Sequence, residues 1–151
     1  MKTTLSVMFA GVFLAGCALA GTNSAPLVDI RSADSGDTNC LMRIQEVERN
    51  ANTSILRLTY RKMGSSVGSS MFVMSGFYEV AKARGAEYFI NLKEWQDPNG
   101  GQIYIAGFTN TKDADINQTF GAQYALTNEY GQARSLMSAS QFGMLFERRR
   151  K

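Results

Sequence analysis

The sequence contains no histidine, and its 151 residues include only two cysteines, two prolines and one tryptophan. Without histidine the chain lacks the commonest general base and metal ligand, which excludes every Ser-His-Asp or Cys-His arrangement. No apolar run reaches the roughly 20 residues that a membrane-spanning helix needs. We therefore expect neither an enzyme nor a metal site.

The composition is typical of a folded domain. Apolar residues make up 44% of the chain and charged residues 19%, whereas a disordered chain carries more charge and fewer aromatic residues. Because domains commonly hold about 100 to 150 residues, the chain has room for one domain with one core.

The first sixteen residues have the pattern of a secretory signal. Lys2 supplies a positive charge, and an apolar run follows over residues 5–15. A membrane-spanning helix takes roughly 20 apolar residues, so this shorter run is typical of a signal peptide. We expect residues 1–16 to be removed and the remainder to be secreted.

The apolar run ends in the tetrapeptide Leu14-Ala15-Gly16-Cys17. It resembles the lipobox of bacterial lipoproteins, in which an apolar residue and two small ones precede an invariant cysteine. The resemblance implies cleavage before Cys17 and a covalent diacylglycerol and acyl lipid on that residue, with no other cofactor. The alternative is an ordinary secretory signal cut at Ala18-Leu19-Ala20, with an incidental cysteine.

The lipobox resemblance also implies a partner and a location. Lipid on Cys17 would anchor the protein to an envelope membrane, and two or three chains hold more firmly than one, which binds reversibly. Ala18 is not the aspartate associated with inner-membrane retention, so we expect the periplasmic face of the outer membrane. Residues 18–38 are rich in Gly, Ser, Thr and Asn and predict a flexible tether.

Acylation of Cys17 would leave Cys40 without a partner in the same chain. One interpretation is that Cys40 is a small apolar residue buried in the first strand. The other is that it forms a disulfide with a second molecule, since lone thiols are unusual in an oxidising compartment.

Two strand patterns open the expected domain of residues 39–151. Residues 40–49 are compatible with a strand, and residues 54–62 alternate apolar and polar side chains with period two. The turn-like residues 50–53 between them predict an antiparallel hairpin. The Gly/Ser-rich residues 64–70 lack the lysine of a phosphate-binding loop and predict a loop that ends in a serine N-cap.

A helix and a second hairpin follow. An apolar stripe of helical spacing predicts a helix over residues 71–84, which Gly85 stops. Alternation over residues 88–93, an Asn-Gly turn at 97–101 and a strand over 103–109 predict a hairpin. The expected fold is α+β, with one helix packed on an antiparallel sheet of about four strands. Residues 134–149 predict an additional C-terminal helix, although Gly143 weakens it.

The segment over residues 81–89 is similar to a pattern in small uncharacterised envelope lipoproteins. In these proteins an alanine-rich helix ends at glycine and passes directly into an aromatic strand. The similarity covers about forty residues of the chain at most and implies no catalytic residue.

Charge is concentrated in a basic tail. Once residues 1–16 are removed, the chain has fifteen basic and thirteen acidic side chains. Four of the basic ones are Arg148, Arg149, Arg150 and Lys151, and without them eleven remain. We therefore expect no nucleic-acid surface. The tail is either a solvated terminus or a contact with anionic headgroups, where each cation contributes about 1 kcal/mol.

The acidic residues show no catalytic or metal-binding spacing. Residues 113–117 begin like an EF-hand loop, but Gln118 replaces the turn glycine and Tyr124 the bidentate glutamate, so calcium binding is not expected. The glutamates that fall on expected solvated faces are Glu46, Glu48, Glu79, Glu87 and Glu94.

These features favour an anchored structural or protein-interaction module with an envelope protein as partner. The aromatic candidates for its surface patch are Tyr78, Tyr88, Trp95 and Tyr104. An alternative is a module for lipid or a small apolar ligand, whose cavity would be lined by Met71, Met74 and Phe77. A carboxylate-based hydrolase is the third hypothesis.

Overall fold

A computed structural model describes residues 26–35, 40–124, 126–127 and 131–147. Its strands are β1 (Asp29–Arg31), β2 (Leu41–Arg49), β3 (Thr53–Lys62), β4 (Tyr88–Gln96), β5 (Gln102–Thr109) and β6 (Met137–Ser138). Its helices are α1 (Ser66–Arg84), α2 (Ile116–Phe120) and α3 (Ala139–Glu147), with a short 3₁₀ helix at Ser32–Ser35. The predicted signal segment, Cys17 and the basic tail 148–151 lie outside the described residues.

The strands form one antiparallel sheet in the order β1-β2-β3-β5-β4-β6. The α+β class, both predicted hairpins and the C-terminal helix are confirmed, although that helix is shorter than the segment 134–149. The predicted count of about four strands is too low. The two additional strands, β1 and β6, lie at the sheet edges and have three and two residues, which is too short to show an alternating pattern.

Helix α1 starts before the predicted position because the Gly/Ser-rich segment forms its first turn. The Ser65 hydroxyl accepts a hydrogen bond from the Gly68 N–H at 3.1 Å, so the predicted serine N-cap lies at the beginning of that segment. Gly85 ends the helix with a φ of 65°, a left-handed conformation that glycine adopts without strain.

One face of the sheet packs against α1 and forms the main core. Phe77 lies at 6.2 Å from the Phe89 ring and at 5.7 Å from the Tyr104 ring, measured between centroids. Gly76 lets the helix approach β2 closely, since a Cβ there would lie 2.6 Å from Ile44 Cδ1. Because this interface is filled by large side chains, it provides rigid support for the opposite face of the sheet.

The chain enters the fold earlier than the sequence predicts. The predicted tether over residues 18–38 is wrong for residues 29–35, which form β1 and the 3₁₀ helix. The Val28 carbonyl accepts the Glu46 N–H at 2.7 Å. The Ser32 hydroxyl donates to the Cys40 carbonyl and accepts the Met42 N–H. These contacts use backbone and hydroxyl groups, which leave no apolar signal in the sequence.

Glu46 is buried, which corrects the expectation that it lies on a solvated face. Its carboxylate accepts two hydrogen bonds from Arg49, at 2.8 and 2.5 Å, and others from the Ser54 hydroxyl and the Val28 N–H. Burial alone would raise the pKa of Glu46, but these hydrogen bonds outweigh burial and hold the pKa below its ordinary value of 4.5. Glu46 continues the alternation of Met42 and Ile44 and pairs with the buried Leu56, so it faces α1; the β-bulge of this strand lies after it, between Glu46 and Glu48.

Arg84 connects the end of α1 to the same region. Its guanidinium donates to the carbonyls of Asn50 and Ala51 and to the Ser54 hydroxyl, and it lies 4.9 Å above the Phe108 ring. Burial, with a smaller contribution from Arg49, lowers the pKa of Arg84, while Glu46 opposes the decrease. The network therefore holds the β2–β3 turn against the end of the helix.

We expect Glu46→Gln to lower the free energy of unfolding at neutral pH by about 3 kcal/mol, because Arg49 loses its buried partner. The lowered pKa means that the Glu46 carboxylate stabilises the fold above its unfolded pKa, near 4.5, and that this contribution is lost as the pH falls through the folded value. The variant should therefore lose less stability than wild type below that pH. Urea unfolding across the acid range measures both effects.

The matched control is Glu48→Gln, on the same strand but exposed. It should leave the pH dependence of stability unchanged. Equal acid sensitivity of wild type and Glu46→Gln would show that the Glu46 network does not hold the turn.

Candidate functional site

The sheet face opposite α1 is only partly covered. A second apolar cluster of Ile90, Leu92 and Phe120 lies there, with Ile116 and Leu136 packed against it. Its cover comes from α2 and the chain after it. At the end of the sheet near the β4–β5 turn, the described residues leave this face uncovered.

The uncovered part, here called the open face, is defined by side chains that the strand register places together. One row crosses five strands: Asp29, Gln45, Arg57, Ile103 and Trp95. At a spacing of about 4.8 Å between neighbouring strands, the row spans about 19 Å. The flanking members of the open face are Arg31, Arg43, Thr59 and Lys93.

Two of the arginines on the open face are held by carboxylates. Arg43 donates from Nε to Asp29 Oδ1 at 2.8 Å and from Nη2 to Asp29 Oδ2 at 2.5 Å. Arg57 Nε donates to Asp97 Oδ2 at 2.6 Å. Each arginine side chain is still 37% exposed. The guanidinium groups are therefore fixed in position and remain accessible to a partner.

The surroundings of Asp29 and Asp97 favour the ionised form of both carboxylates. The hydrogen bond from the Asn99 N–H has the largest effect on Asp97 and lowers its pKa. Burial opposes this decrease, and the ion pair with Arg57 lowers the pKa further. The hydrogen bond from Arg43 likewise lowers the pKa of Asp29 against a smaller opposing effect of burial. Both ion pairs therefore persist at neutral pH.

Trp95 is the aromatic residue of the open face. It is 40% exposed, and the Lys93 ammonium lies 5.7 Å from its ring centroid. Trp95 is also the one tryptophan of the chain, so its fluorescence reports on this surface alone.

The predicted aromatic patch is wrong as a set, because its four residues lie apart. Tyr104 faces α1 and is 5% exposed, and burial, with Glu94 and Tyr60, raises its pKa to about 12. Tyr78 lies on α1 against Phe142, and Tyr88 lines a cleft near β6. Of the four, Trp95 alone belongs to the open face.

The net charge of the domain gives no indication that basic residues gather on the open face. Residues 26–147 are not basic overall, yet Arg31, Arg43, Arg57 and Lys93 share one surface. The period-two alternation of β3 does predict that Arg57 points away from the apolar face of that strand. The bulge between Asn91 and Lys93 moves Lys93 and Trp95 to the face opposite the one that the alternation at the start of β4 predicts.

The described residues contain no cluster that matches a metal site. No group of three or more His, Cys, Asp and Glu side chains among them could hold a metal ion. Asp115, in the EF-hand-like segment, instead caps α2 by accepting the Gln118 N–H at 2.8 Å. The two buried carboxylates, Glu46 and Asp97, each pair with their own arginine.

Two open clefts lie on the surface, and neither is in the predicted ligand position. One, of about 500 Å³, is lined by Arg49, Arg84 and Phe108. The other, of about 630 Å³, is lined by Tyr88, Lys112 and Arg134. Met71, Met74 and Phe77 line neither cleft, and Phe77 is buried in the main core.

The predicted lipidation, disulfide and headgroup-contact residues lie away from the open face or outside the described residues. Cys40 is 4% exposed and belongs to the main core. This burial is compatible with its interpretation as a small apolar residue, and the disulfide with a second molecule stays a prediction. The structure does not describe Cys17, Arg148, Arg149, Arg150 or Lys151.

In the part of the chain that is described, no helix is both long and apolar enough to cross a membrane. No protein-family model matches the chain, and no curated protein or solved structure is significantly similar to it.

We expect the fluorescence of Trp95 to be quenched more strongly by iodide than by caesium at equal ionic strength, because Lys93 and the nearby arginines attract anions. Lys93→Gln should reduce the ratio of iodide to caesium quenching. The control Lys82→Gln, on α1, should leave the ratio unchanged. Equal quenching by the two ions in wild type would contradict a basic open face.

Proposed function

We propose that the protein is a lipid-anchored component of a bacterial envelope and that it acts by contacting another envelope protein through the open face. The lipobox-like tetrapeptide Leu14-Ala15-Gly16-Cys17 supports the anchor. The described fold begins at Pro26, nine residues after Cys17. Nine extended residues span at most about 30 Å, so such an anchor would keep the domain near the membrane.

The single observation that carries the protein contact is the composition of the open face. It combines an exposed tryptophan, an apolar neighbour and arginines that are already held in place by carboxylates. Tryptophan and arginine are enriched at protein interfaces and among the residues that dominate binding energy. A rigid sheet with fixed guanidinium groups loses little conformational entropy when it binds, which favours a specific partner.

The two other hypotheses have less support. A ligand module would need space between α1 and the sheet, where Phe77, Phe89 and Tyr104 pack against one another. A hydrolase would need two apposed carboxylates, but Glu46 faces α1 whereas Asp97 pairs with Arg57 on the open face. The partner contact therefore remains the function that the geometry favours.

Metabolic labelling with palmitate tests the anchor. We expect the wild-type protein to incorporate the label and Cys17→Ser to lose it, because no other position offers the lipobox thiol. Cys40→Ser is the matched control and should retain the label. Labelling of Cys17→Ser at the wild-type level, or no label on the wild-type protein, would contradict the proposed anchor.

Site-specific photocrosslinking in the native envelope tests the protein contact. A photoreactive residue in place of Trp95 should give one discrete crosslinked product. The same residue in place of Val67, which is 68% exposed at the start of α1, should not. No product from position 95, or the same products from both positions, would count against the open face as the contact surface.

A further inference from the structure

Strand β4 leaves part of its outer edge, the edge away from β5, without a partner strand. Strand β6 covers this edge at Tyr88 and Phe89, and Arg134 Nη1 donates to the Asn91 carbonyl at 2.6 Å. Beyond these contacts residues 93–96 are all exposed, and no strand among the described residues pairs with their outer edge. An unpaired edge of this kind is a template for a further strand.

The turn after β4 shows which backbone groups point outward. The Asp97 N–H donates to the Gly101 carbonyl at 3.1 Å, so the backbone of Asp97 is bonded on the β5 side. Bonded and non-bonded positions alternate along an antiparallel pair, so Trp95 is bonded to β5 as well. The N–H and C=O groups of Glu94 and Gln96 therefore point outward.

The other end of β4 gives the same result. The Glu87 carbonyl accepts the Ala139 N–H at 2.9 Å, which places the outward groups at every second residue, 87, 89 and 91. The bulge between Asn91 and Lys93 inserts one residue and moves the next outward position to 94. Hydrogen bonds at the two ends of the strand thus assign the same outward groups.

A second copy of β4 fits this edge in an antiparallel register. With Glu94 opposite Gln96 of the second copy, and Gln96 opposite Glu94, the outward groups meet and can form four backbone hydrogen bonds. The twofold axis then passes between the two Trp95 residues. Lys93 lies opposite Asp97 of the second copy, so unlike charges face each other at both ends of the contact.

Neighbouring registers lack this fit. A shift by one residue sets outward groups against groups that are already bonded to β5. A shift by two in one direction places Glu94 opposite Glu94, and like charges directly opposite each other are destabilising. A shift by two in the other direction places Glu94 opposite Pro98, which has no N–H to donate. The edge is thus self-complementary in the first register and not in its neighbours.

Lysines and β-bulges on edge strands often prevent pairing between sheets, but here they do not oppose it. In the paired register Lys93 meets the carboxylate of Asp97, which also binds Arg57 and whose lowered pKa keeps it ionised at neutral pH. The bulge at Leu92 and the turn that begins at Pro98 lie at the two ends of the paired segment. They limit its length and do not interrupt it.

We propose that residues 93–97 of β4 pair with the same residues of a second copy of this chain, which joins two sheets into one. The inference rests on the proposed function, because it identifies the protein that contacts the Trp95 end of the open face. A contact related by a twofold axis is closed, so it gives a dimer and not a fibre. The contact is short, and anchoring both copies to one membrane would raise their effective concentration.

The dimer would join the two open faces into one surface. The Trp95 side chains of the two copies would lie next to each other, and aromatic pairs across strands are stabilising. The row of Arg57, Ile103 and Trp95 would then continue into Trp95, Ile103 and Arg57 of the second copy.

Engineered cysteines test the pairing in the full chain in its native envelope. In a Cys40→Ser background, Trp95→Cys should give a disulfide-linked dimer when copper phenanthroline is added. The two Cα atoms would lie about 4.5 Å apart, within the range of about 4.4 to 6.8 Å that disulfides require. The controls are Cys40→Ser alone and Val67→Cys in the same background, at a position that is 68% exposed on α1. Neither control should give the dimer.

A second pair of cysteines tests the register and keeps Trp95. Glu94→Cys and Gln96→Cys should each fail to crosslink when expressed alone, because identical positions would lie more than about 7 Å apart. Coexpression of the two variants should give a mixed dimer, because position 94 faces position 96. A dimer from either variant alone, or none from the mixture, would overturn the proposed register.

Two substitutions should weaken the pairing without disturbing the fold. Gln96→Pro removes an outward N–H that is not bonded to β5, so it should lower the Trp95→Cys dimer several-fold. Lys93→Glu sets a carboxylate opposite Asp97 and should also lower the dimer several-fold. Lys82→Glu, on α1, is the control for charge and should leave the dimer unchanged. Equal dimer yields in all these variants would contradict pairing through β4.

The mass of the photocrosslinked product from position 95 distinguishes failure of this inference from failure of the proposed function. A product of twice the mass of the chain supports the second copy as the partner. A product of any other mass would overturn the second copy and leave the proposed protein contact standing. No product at all would contradict the protein contact itself.

Discussion

A single helix of nineteen residues, α1, can cover only one face of the six-stranded sheet. Because a buried sheet face must be apolar, the residues facing α1 are large and tightly packed, with Phe77, Phe89 and Tyr104 at the centre. The second face depends on the short α2 and the chain that follows it, which cover one end. What remains must be compatible with water, so it carries arginines, a lysine and a half-exposed tryptophan. The open face is therefore a direct consequence of the layer arrangement.

The buried carboxylate of Glu46 connects three parts of the chain that would otherwise be independent. It accepts from Val28, where the chain enters the fold, from Arg49 at the end of β2, and from Ser54, whose hydroxyl also binds Arg84. The N-terminal strand, the β2–β3 turn and the end of α1 are thus joined by charge-assisted hydrogen bonds. In a protein tethered at Cys17, this network lies where the tether would meet the domain.

The two faces of the sheet differ in what they present to solvent. The side with α1 and α3 carries the exposed Met144 and Leu145, while the opposite side carries Trp95 among arginines. A partner bound on the open face, as we propose, would leave α3 uncovered.

Most of the fold was readable from local signals. Period-two alternation predicted β3 and the second hairpin, helical spacing predicted α1, and the Gly85 cap and the Asn-Gly turn were located correctly. The short β1, β6 and α2 were missed, because two to five residues carry too little pattern to separate from loop. The burial of Glu46 and the clustering of Arg43, Arg57 and Trp95 were missed for another reason. They depend on how the strands pair with one another, which composition does not show, and in β4 a bulge between Asn91 and Lys93 also moves Trp95 to the open face.

The central claim is that the mature chain begins at an acylated cysteine, from which the position of the whole domain at the membrane follows. Mass spectrometry of the N-terminal peptide, prepared from protein extracted from native envelopes, tests it most directly. We predict a peptide that starts at Cys17 and carries the mass of a diacylglyceryl group and an additional acyl chain. An unmodified peptide that starts after Ala20, or one that retains residues 1–16, would contradict the claim.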